Sequence, residues 1–296
     1  MLSVLIPVYN YDIRALVTAI QEQLLTSQIP FEIICMDDGS KSNFRTINSE
    51  IEQLEHTGYR VSNSNLGRVA TRKSLAENAS YNWLLFLDAD VIPRTNQFIN
   101  NYIPYLHTDY EAVYGGFAYK EDQPEDDLML RWTYGRSNEQ VSAHIRNKTP
   151  YKIVISANFL IKKTRFLELS SYMTNTGYGY DNYFGALLKE KTVKVFHIDN
   201  EVFHLGLESS ASYLKKIEES IDNLLQLDTE DKLKTTDNSL LKLFKLFKTY
   251  KLHKIWAWVY KTFGSSLKSN LLSKRPSVFM LQCYKLSYIC YQDQNS

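Results

Sequence analysis

The sequence predicts an α/β protein whose Rossmann-like, mostly parallel sheet is flanked by helices and is followed by a C-terminal helical extension. Two observations predict the α/β part. Over the first 120 residues, short apolar runs alternate with segments of helical spacing, and acidic or polar clusters follow the apolar runs. A third observation predicts the extension, because near residue 230 the chain changes from acidic to basic and aromatic-rich.

The first strands and helices are expected to alternate as β-α-β-α-β-α-β. Strands are predicted at residues 2–8, 31–36, 59–63 and 82–87, and helices at residues 13–25, 44–54 and 66–79. Farther along, strands are predicted at residues 112–117, 152–155, 193–197 and 202–205, and helices at residues 127–134, 182–189 and 211–227. Parallel sheets bind ligands at the carboxyl ends of their strands, so the residues that follow the strands are candidates for a site.

A change in charge along the chain predicts a domain boundary near residues 228–238. From Ser239 onward the chain has ten basic residues and one acid, Asp293, whereas the preceding residues include 24 basic and 32 acidic side chains. Clusters of Asp, Thr and Asn interrupt the periodic segments at this point. We therefore predict an α/β domain over residues 1–230 and a basic, aromatic-rich helical extension over residues 231–296.

Two pairs of aspartates follow predicted strands, Asp37 with Asp38 and Asp88 with Asp90. Clustered carboxylates are costly unless a cation or a hydrogen-bond donor accompanies them. Oxygen ligands of this kind suit Mg²⁺ or Mn²⁺, which usually also bind phosphate oxygens. The alternative is a polar turn, in which Asp is common. The position of both pairs at one sheet edge favours the cation site.

Four stretches of the chain resemble the family 2 glycosyltransferases, which have the GT-A nucleotide-diphospho-sugar transferase fold. The stretches are VLIPVYN (residues 4–10), DDGS (37–40), NLG (65–67) and LFLDAD (85–90), in the order found in the family. The resemblance covers about residues 1–227. It implies an inverting transferase that moves a sugar from a nucleotide-diphosphate donor, with UDP as the expected nucleotide, to a saccharide or lipid-linked acceptor.

The resemblance also implies roles for individual residues. The residues implied to line the base pocket are Pro7, Val8, Tyr9 and Asp38. Asp38 would accept from the N3–H of a uracil-type base, and Asp88 would contact the ribose or the metal. Asp90 would be the main ligand of Mn²⁺ or Mg²⁺. Arg68 and Arg72 are candidates for binding the diphosphate, since guanidinium pairs well with phosphate oxygens, although a solvated helix face is the alternative for Arg72.

Two later segments imply a base and a further metal ligand. GYGYDN (residues 177–182) resembles the family segment that supplies the catalytic base, and its one acid is Asp181. Asp181 is thus the implied base for the acceptor hydroxyl, with a helix cap as the alternative. VFHLG (residues 202–206) resembles the strand whose histidine completes the metal site. This implies His204 as a ligand, with a merely hydrogen-bonded histidine as the alternative and His197 as the competitor.

The extension has a lysine at every third position from Lys242 to Lys254, among leucines and aromatic residues. Basic, aromatic-rich helices often lie on anionic membranes, so a membrane surface is one expected partner. The alternative is that the extension packs on the acidic domain with its lysines in solvent. No nucleic-acid partner is expected, because no recognised binding module is present.

The expected location is cytoplasmic. The more specific expectation is a peripheral position on the inner face of the cell membrane. Residues 1–4 form no basic leader, and no apolar run reaches 18 residues. Three scattered cysteines favour reduced thiols.

Two rival functions stay open at this point. LFLDADV (residues 85–91) also fits the opening motif of haloacid-dehalogenase-like phosphatases, in which Asp88 would be the nucleophile. The second rival is a non-catalytic protein of the same fold that binds a sugar nucleotide, because the segment around Asp181 has a single acid.

Overall fold

Ten strands and twelve α-helices are found in the part of the chain that the structure describes. This computed structural model describes residues 1–173, 179 and 181–295. The strands are β1 (Leu2–Val8), β2 (Phe31–Asp37), β3 (Thr57–Val61), β4 (Trp83–Leu87), β5 (Val91–Pro93), β6 (Ala112–Tyr114), β7 (Phe117–Ala118), β8 (Asn158–Lys162), β9 (Val195–His197) and β10 (Val202–His204). The helices are α1 (Arg14–Thr26), α2 (Ser42–Asn48), α3 (Arg68–Asn78), α4 (Phe98–Tyr102), α5 (Met129–Tyr134), α6 (Ala143–Arg146), α7 (Lys163–Ser171), α8 (Asp181–Glu190), α9 (Ser210–Thr229), α10 (Ser239–Thr249), α11 (His253–Leu271) and α12 (Val278–Asn295).

The central sheet has the strand order β3-β2-β1-β4-β8-β6-β9, and β5, β10 and β7 form a smaller sheet. The first four strands are parallel, while β8 runs antiparallel to both of its neighbours. Leu2 is paired with Phe31 and with Trp83, so the carboxyl ends of β1, β2 and β4 meet at one edge. This arrangement confirms the predicted α/β fold class, and it places the motifs after these strands side by side.

Both faces of the central sheet are buried. Residues that alternate along a strand point to opposite faces, and in β1 Leu5 packs in one hydrophobic cluster while Val4 and Ile6 pack in another. The first cluster continues from the sheet through α9 into the extension, where it includes Leu241 and Leu281.

The prediction of a strand at residues 152–155 is wrong. The segment has no regular structure, and the strand of this region is β8, which begins at Asn158. Val154 is buried because it packs against α8 at Gly185. A side chain at position 185 would also come close to the Tyr151 carbonyl oxygen. The burial of this apolar run therefore comes from helix packing and not from strand pairing.

The extension packs on the α/β part through α12 and α9. The Tyr288 hydroxyl donates to Asp222 Oδ2 at 3.1 Å, and the Tyr284 hydroxyl donates to Glu218. The first, second and third lysines of the three-residue repeat form ion pairs with Asp237, Asp228 and Asp293, respectively. None of the helices within the described residues combines the length and apolarity that crossing a bilayer requires.

Candidate active site

The loops that follow β1 and β2 are tied together by polar side chains. Asn10 donates its backbone N–H to Ser40 Oγ at 2.7 Å, and Asn10 Oδ1 accepts from the Lys41 backbone N–H at 2.9 Å. Of the residues predicted to line a base pocket, Pro7 is half-buried, Val8 is buried and Tyr9 is 55% exposed. The fold therefore leaves the Tyr9 ring at the surface of this edge, where an aromatic face can stack on a planar ligand.

Asp38 holds the loop that precedes α3. It is 5% exposed, and its two carboxylate oxygens accept from the backbone N–H groups of Leu66 at 2.6 Å and Gly67 at 2.9 Å. Gly67 has a φ of +85°, which an L side chain rarely adopts. The NLG motif is thus fixed against DDGS, and this contact places the start of α3, with Arg68 and Arg72, beside the end of β4.

Asp88 is paired with both of the predicted diphosphate-binding arginines. Its carboxylate accepts from the guanidinium groups of Arg68 and Arg72, and Arg72 is buried. Burial by itself would raise the pKa of Asp88, but the charges of the two arginines outweigh it and hold that pKa below its usual value. Asp88 therefore stays ionised at neutral pH and keeps two cationic side chains at the sheet edge.

Asp90 and His204 lie next to each other, on the turn after β4 and at the end of β10. Asp90 Oδ2 lies 3.3 Å from His204 Nε2. His204 Nδ1 is buried and has no hydrogen-bond partner among the described residues. A side chain at position 206 would overlap the Asp90 carboxylate. The glycine at this position therefore leaves room for that carboxylate. Gly206 lies within the VFHLG motif, but the local sequence does not indicate this contact with Asp90.

This pair fits a divalent cation that also takes oxygens from a ligand. Two neighbouring ligands of an octahedral ion with bonds of about 2.1 Å lie about 3 Å apart, close to the 3.3 Å between Asp90 Oδ2 and His204 Nε2. A carboxylate with an imidazole suits Mn²⁺-type ions. No group of three or more His, Cys, Asp or Glu side chains gathers for a metal within residues 1–173, 179 and 181–295.

Asp181 is the first residue of α8, and it faces the same region from the other side. Its Oδ2 accepts from Ser156 Oγ at 3.3 Å, while the Ser156 backbone oxygen accepts from Arg72 at 3.3 Å. Arg72 therefore links Asp88 to the segment that contacts Asp181. Of the GYGYDN segment, residues 177, 178 and 180 lie outside the described residues.

His197 is engaged elsewhere. Its Nδ1 accepts from Arg146 Nη1 at 2.9 Å, and its Nε2 donates to the Pro150 carbonyl oxygen at 2.8 Å. Burial lowers the pKa of His197 to about 4, so the ring is neutral at physiological pH. Both ring nitrogens are occupied by protein groups, which leaves His204 as the histidine that faces Asp90.

The comparisons with known proteins agree with this fold. Residues 3–168 match the model of glycosyl transferase family 2, and the chain belongs to that family. It is 34% identical over 112 residues to a chondroitin synthase of Escherichia coli, a match that covers 36% of this chain and 16% of the relative. A chondroitin synthase of Pasteurella multocida is 31% identical over 116 residues, which cover 38% of this chain and 12% of that protein. The chain thus spans less than a fifth of the length of these relatives.

Two solved structures share the fold. A mannosyltransferase from Pyrobaculum calidifontis, solved with GDP-Man and Mn²⁺, has a TM-score of 0.57 at 10% identity, with 99% of this chain and 86% of that one covered. Residues 1–349 of S. aureus TarS give a TM-score of 0.50 at 12% identity, with 99% and 91% covered. The predicted GT-A fold and the predicted membership of the family 2 glycosyltransferases are therefore confirmed, and the phosphatase alternative is not supported.

Proposed function

We propose that this glycosyltransferase moves a sugar from a nucleoside-diphosphate donor, with UDP as the expected nucleotide, to a hydroxyl of a saccharide or lipid-linked acceptor, with inversion at the anomeric carbon. The observation that carries the proposal is the position of Arg72. Its guanidinium contacts Asp88 on the donor side and the backbone of Ser156, whose hydroxyl contacts Asp181. Direct contacts through Arg72 and Ser156 thus link Asp88, on the proposed donor side, to Asp181, on the proposed acceptor side.

The donor is proposed to bind along the edge formed by β1, β2 and β4. Tyr9 offers an exposed ring to the base, and Asp38 retains lone pairs for the base N3–H beyond the two that accept from the backbone. Arg68 and Arg72 lie one turn apart on α3 and face the same carboxylate, Asp88. Guanidinium groups pair well with phosphate oxygens, so the two arginines would stabilise the charge that develops on the departing diphosphate.

Asp90 and His204 are the residues that would hold a divalent cation. A bound Mn²⁺ or Mg²⁺ would neutralise part of the charge on the diphosphate leaving group. The Asp90 carboxylate is 31% exposed and His204 10% exposed, so the pair is open on the carboxylate side. The Mn²⁺ bound to the mannosyltransferase from Pyrobaculum calidifontis supports a divalent metal for this fold.

On the acceptor side, Asp181 is proposed to act as the general base. It would take the proton of the acceptor hydroxyl as that oxygen bonds to the anomeric carbon and the bond to the diphosphate breaks on the opposite face. Its place in the first turn of α8 favours a negative charge there, because the N-terminal end of a helix carries partial positive charge. Ser156 would orient the carboxylate through its hydroxyl.

A thermal-shift screen of nucleoside diphosphates tests this proposal. One nucleotide, expected to be UDP, should raise the melting temperature in Mn²⁺ and lose most of this effect when the metal is removed with a chelator. Binding at 100 times Kd adds about 2.7 kcal/mol to the free energy of unfolding. If no nucleotide stabilises the protein with or without a metal, the proposed donor class is wrong.

We also propose that the extension lies on an anionic membrane surface. Of the 18 large hydrophobic side chains that are exposed in the described residues, ten lie between residues 243 and 280. Leu243, Leu246 and Tyr250 follow one another at helical spacing on α10 and its end, opposite the buried Leu241 and Phe244. The stretch from residue 243 to residue 280 contains no acid, although four of its lysines pair with acids outside it, namely Lys245, Lys248, Lys268 and Lys274.

Vesicle sedimentation tests the membrane contact. The full chain should bind vesicles that contain phosphatidylglycerol more strongly than pure phosphatidylcholine vesicles. Replacing the exposed Ile255 and Trp258 by Ser should weaken this binding at least about 100-fold, because each large apolar side chain contributes about 1.5–3 kcal/mol when it leaves water. Leu25→Ser on α1, which is also half-exposed, is the matched control and should have no effect. Binding that is unchanged in the double variant would contradict the proposal.

A further inference from the structure

A cavity of about 830 Å³ joins the candidate active site to the extension. Arg72 and Asp181 line it on the side of the α/β domain. The extension contributes Asn238, Ser239, Leu240, Gln282 and Lys285. Asn238 also donates from Nδ2 to Asn182 Oδ1 at 2.9 Å, next to the proposed base. The start of α10 and one face of α12 are therefore walls of the space in which an acceptor would meet Asp181.

Two lysines face this cavity without a carboxylate partner. Lys285 Nζ lies 4.2 Å from the centre of the Tyr134 ring, and Lys152 lines the cavity from the segment before β8. No acid of the described residues forms an ion pair with either lysine. Besides Asp181, the acid that lines the cavity is Glu139, which accepts from Arg131 Nη1 at 2.9 Å. The part of the cavity wall that lies away from Asp181 and contains Lys152 and Lys285 therefore carries a positive charge.

Because a positively charged cavity attracts and orients anions, these lysines point to the chemistry of the acceptor. We infer, resting on the proposed function, that the acceptor carries an anionic group, a carboxylate or a phosphate, and that Lys285 of the extension binds it. Tyr134, which lines the same cavity and is half-buried, holds Lys285 over one face of its ring. Lys285 would therefore select which acceptor binds and would not take part in the reaction, since the anionic group that it contacts lies away from the reacting hydroxyl.

Matched glycosides test the inference by isothermal titration in the presence of UDP and Mn²⁺. p-Nitrophenyl β-D-glucuronide and p-nitrophenyl β-D-glucoside differ by a carboxylate, and glucose 6-phosphate and glucose differ by a phosphate. In at least one pair the anionic member should bind about tenfold more tightly, as expected for a charge-assisted hydrogen bond. The pair that shows the difference identifies the anion as a carboxylate or a phosphate.

Variants of Lys285 complete the experiment. Lys285→Met should abolish the preference for the anionic member, and Lys285→Arg should retain it. Lys254→Met, an exposed lysine of α11 outside the cavity lining, should behave as the wild type. The inference is wrong if the wild type binds both members of each pair equally, or binds neither, or if Lys285→Met keeps the preference. Stabilisation by UDP, measured on the same samples, tells this failure apart from a failure of the proposed donor site.

Discussion

Replacing Asp90 by Asn is expected to lower the rate of sugar transfer about 10³-fold and to abolish the stabilisation by UDP that depends on Mn²⁺. The carboxylate is one of the two side chains that face each other across 3.3 Å at the proposed cation site. An amide keeps the shape but loses the charge that a hard cation requires. Loss of a group that stabilises developing negative charge typically costs about 10²–10³ in rate.

The matched control for Asp90 is Asp109→Asn. The Asp109 side chain is almost fully exposed and pairs loosely with Lys194, so this variant removes one negative charge far from the sheet edge. It should leave both the melting temperature and the transfer rate unchanged. If Asp90→Asn retained the Mn²⁺-dependent shift and the activity of the wild type, the assignment of the cation to Asp90 and His204 would be wrong.

The features of the site that the sequence predicted are those that depend on a strand and the residues directly after it. The alternation of apolar runs placed Asp38 and Asp88 at one edge, because parallel strands bring their carboxyl ends together. The residues that complete the site on the other side come from distant positions. Ser156, 84 residues from Arg72, reaches its guanidinium through the order of the strands, which a local pattern does not encode.

Long-range charge pairing explains most of the remaining differences. The lysine repeat of the extension predicted a solvated or membrane-facing surface, yet Lys245 and Lys248 pair with Asp228 and Asp293. Likewise, Arg72 had a solvated helix face as its alternative, whereas it is buried against Asp88. Periodicity tells which face of a helix is apolar, but the partner of a charge depends on how the elements pack.

Replacing Asp181 by Asn is expected to lower kcat for sugar transfer about 10²–10⁴-fold, which is the usual contribution of a general base. Stabilisation by UDP with Mn²⁺ should persist, because Asp181 lies on the acceptor side of Arg72 and contacts Ser156 rather than the β1–β2 edge. The variant therefore separates loss of chemistry from loss of donor binding. Initial rates of transfer and the thermal shift are measured on the same preparation.

This substitution also distinguishes the base from a helix cap. Asp and Asn cap helices about equally well, so a residue that only capped α8 would leave activity and melting temperature almost unchanged on replacement by Asn. Among the described residues, Asp181 accepts from a serine hydroxyl and from no backbone N–H. Ser156→Ala removes that contact while keeping the carboxylate, and it should cost less than tenfold in kcat. Full activity in Asp181→Asn would assign the proton transfer to another group and reopen the non-catalytic alternative for this fold.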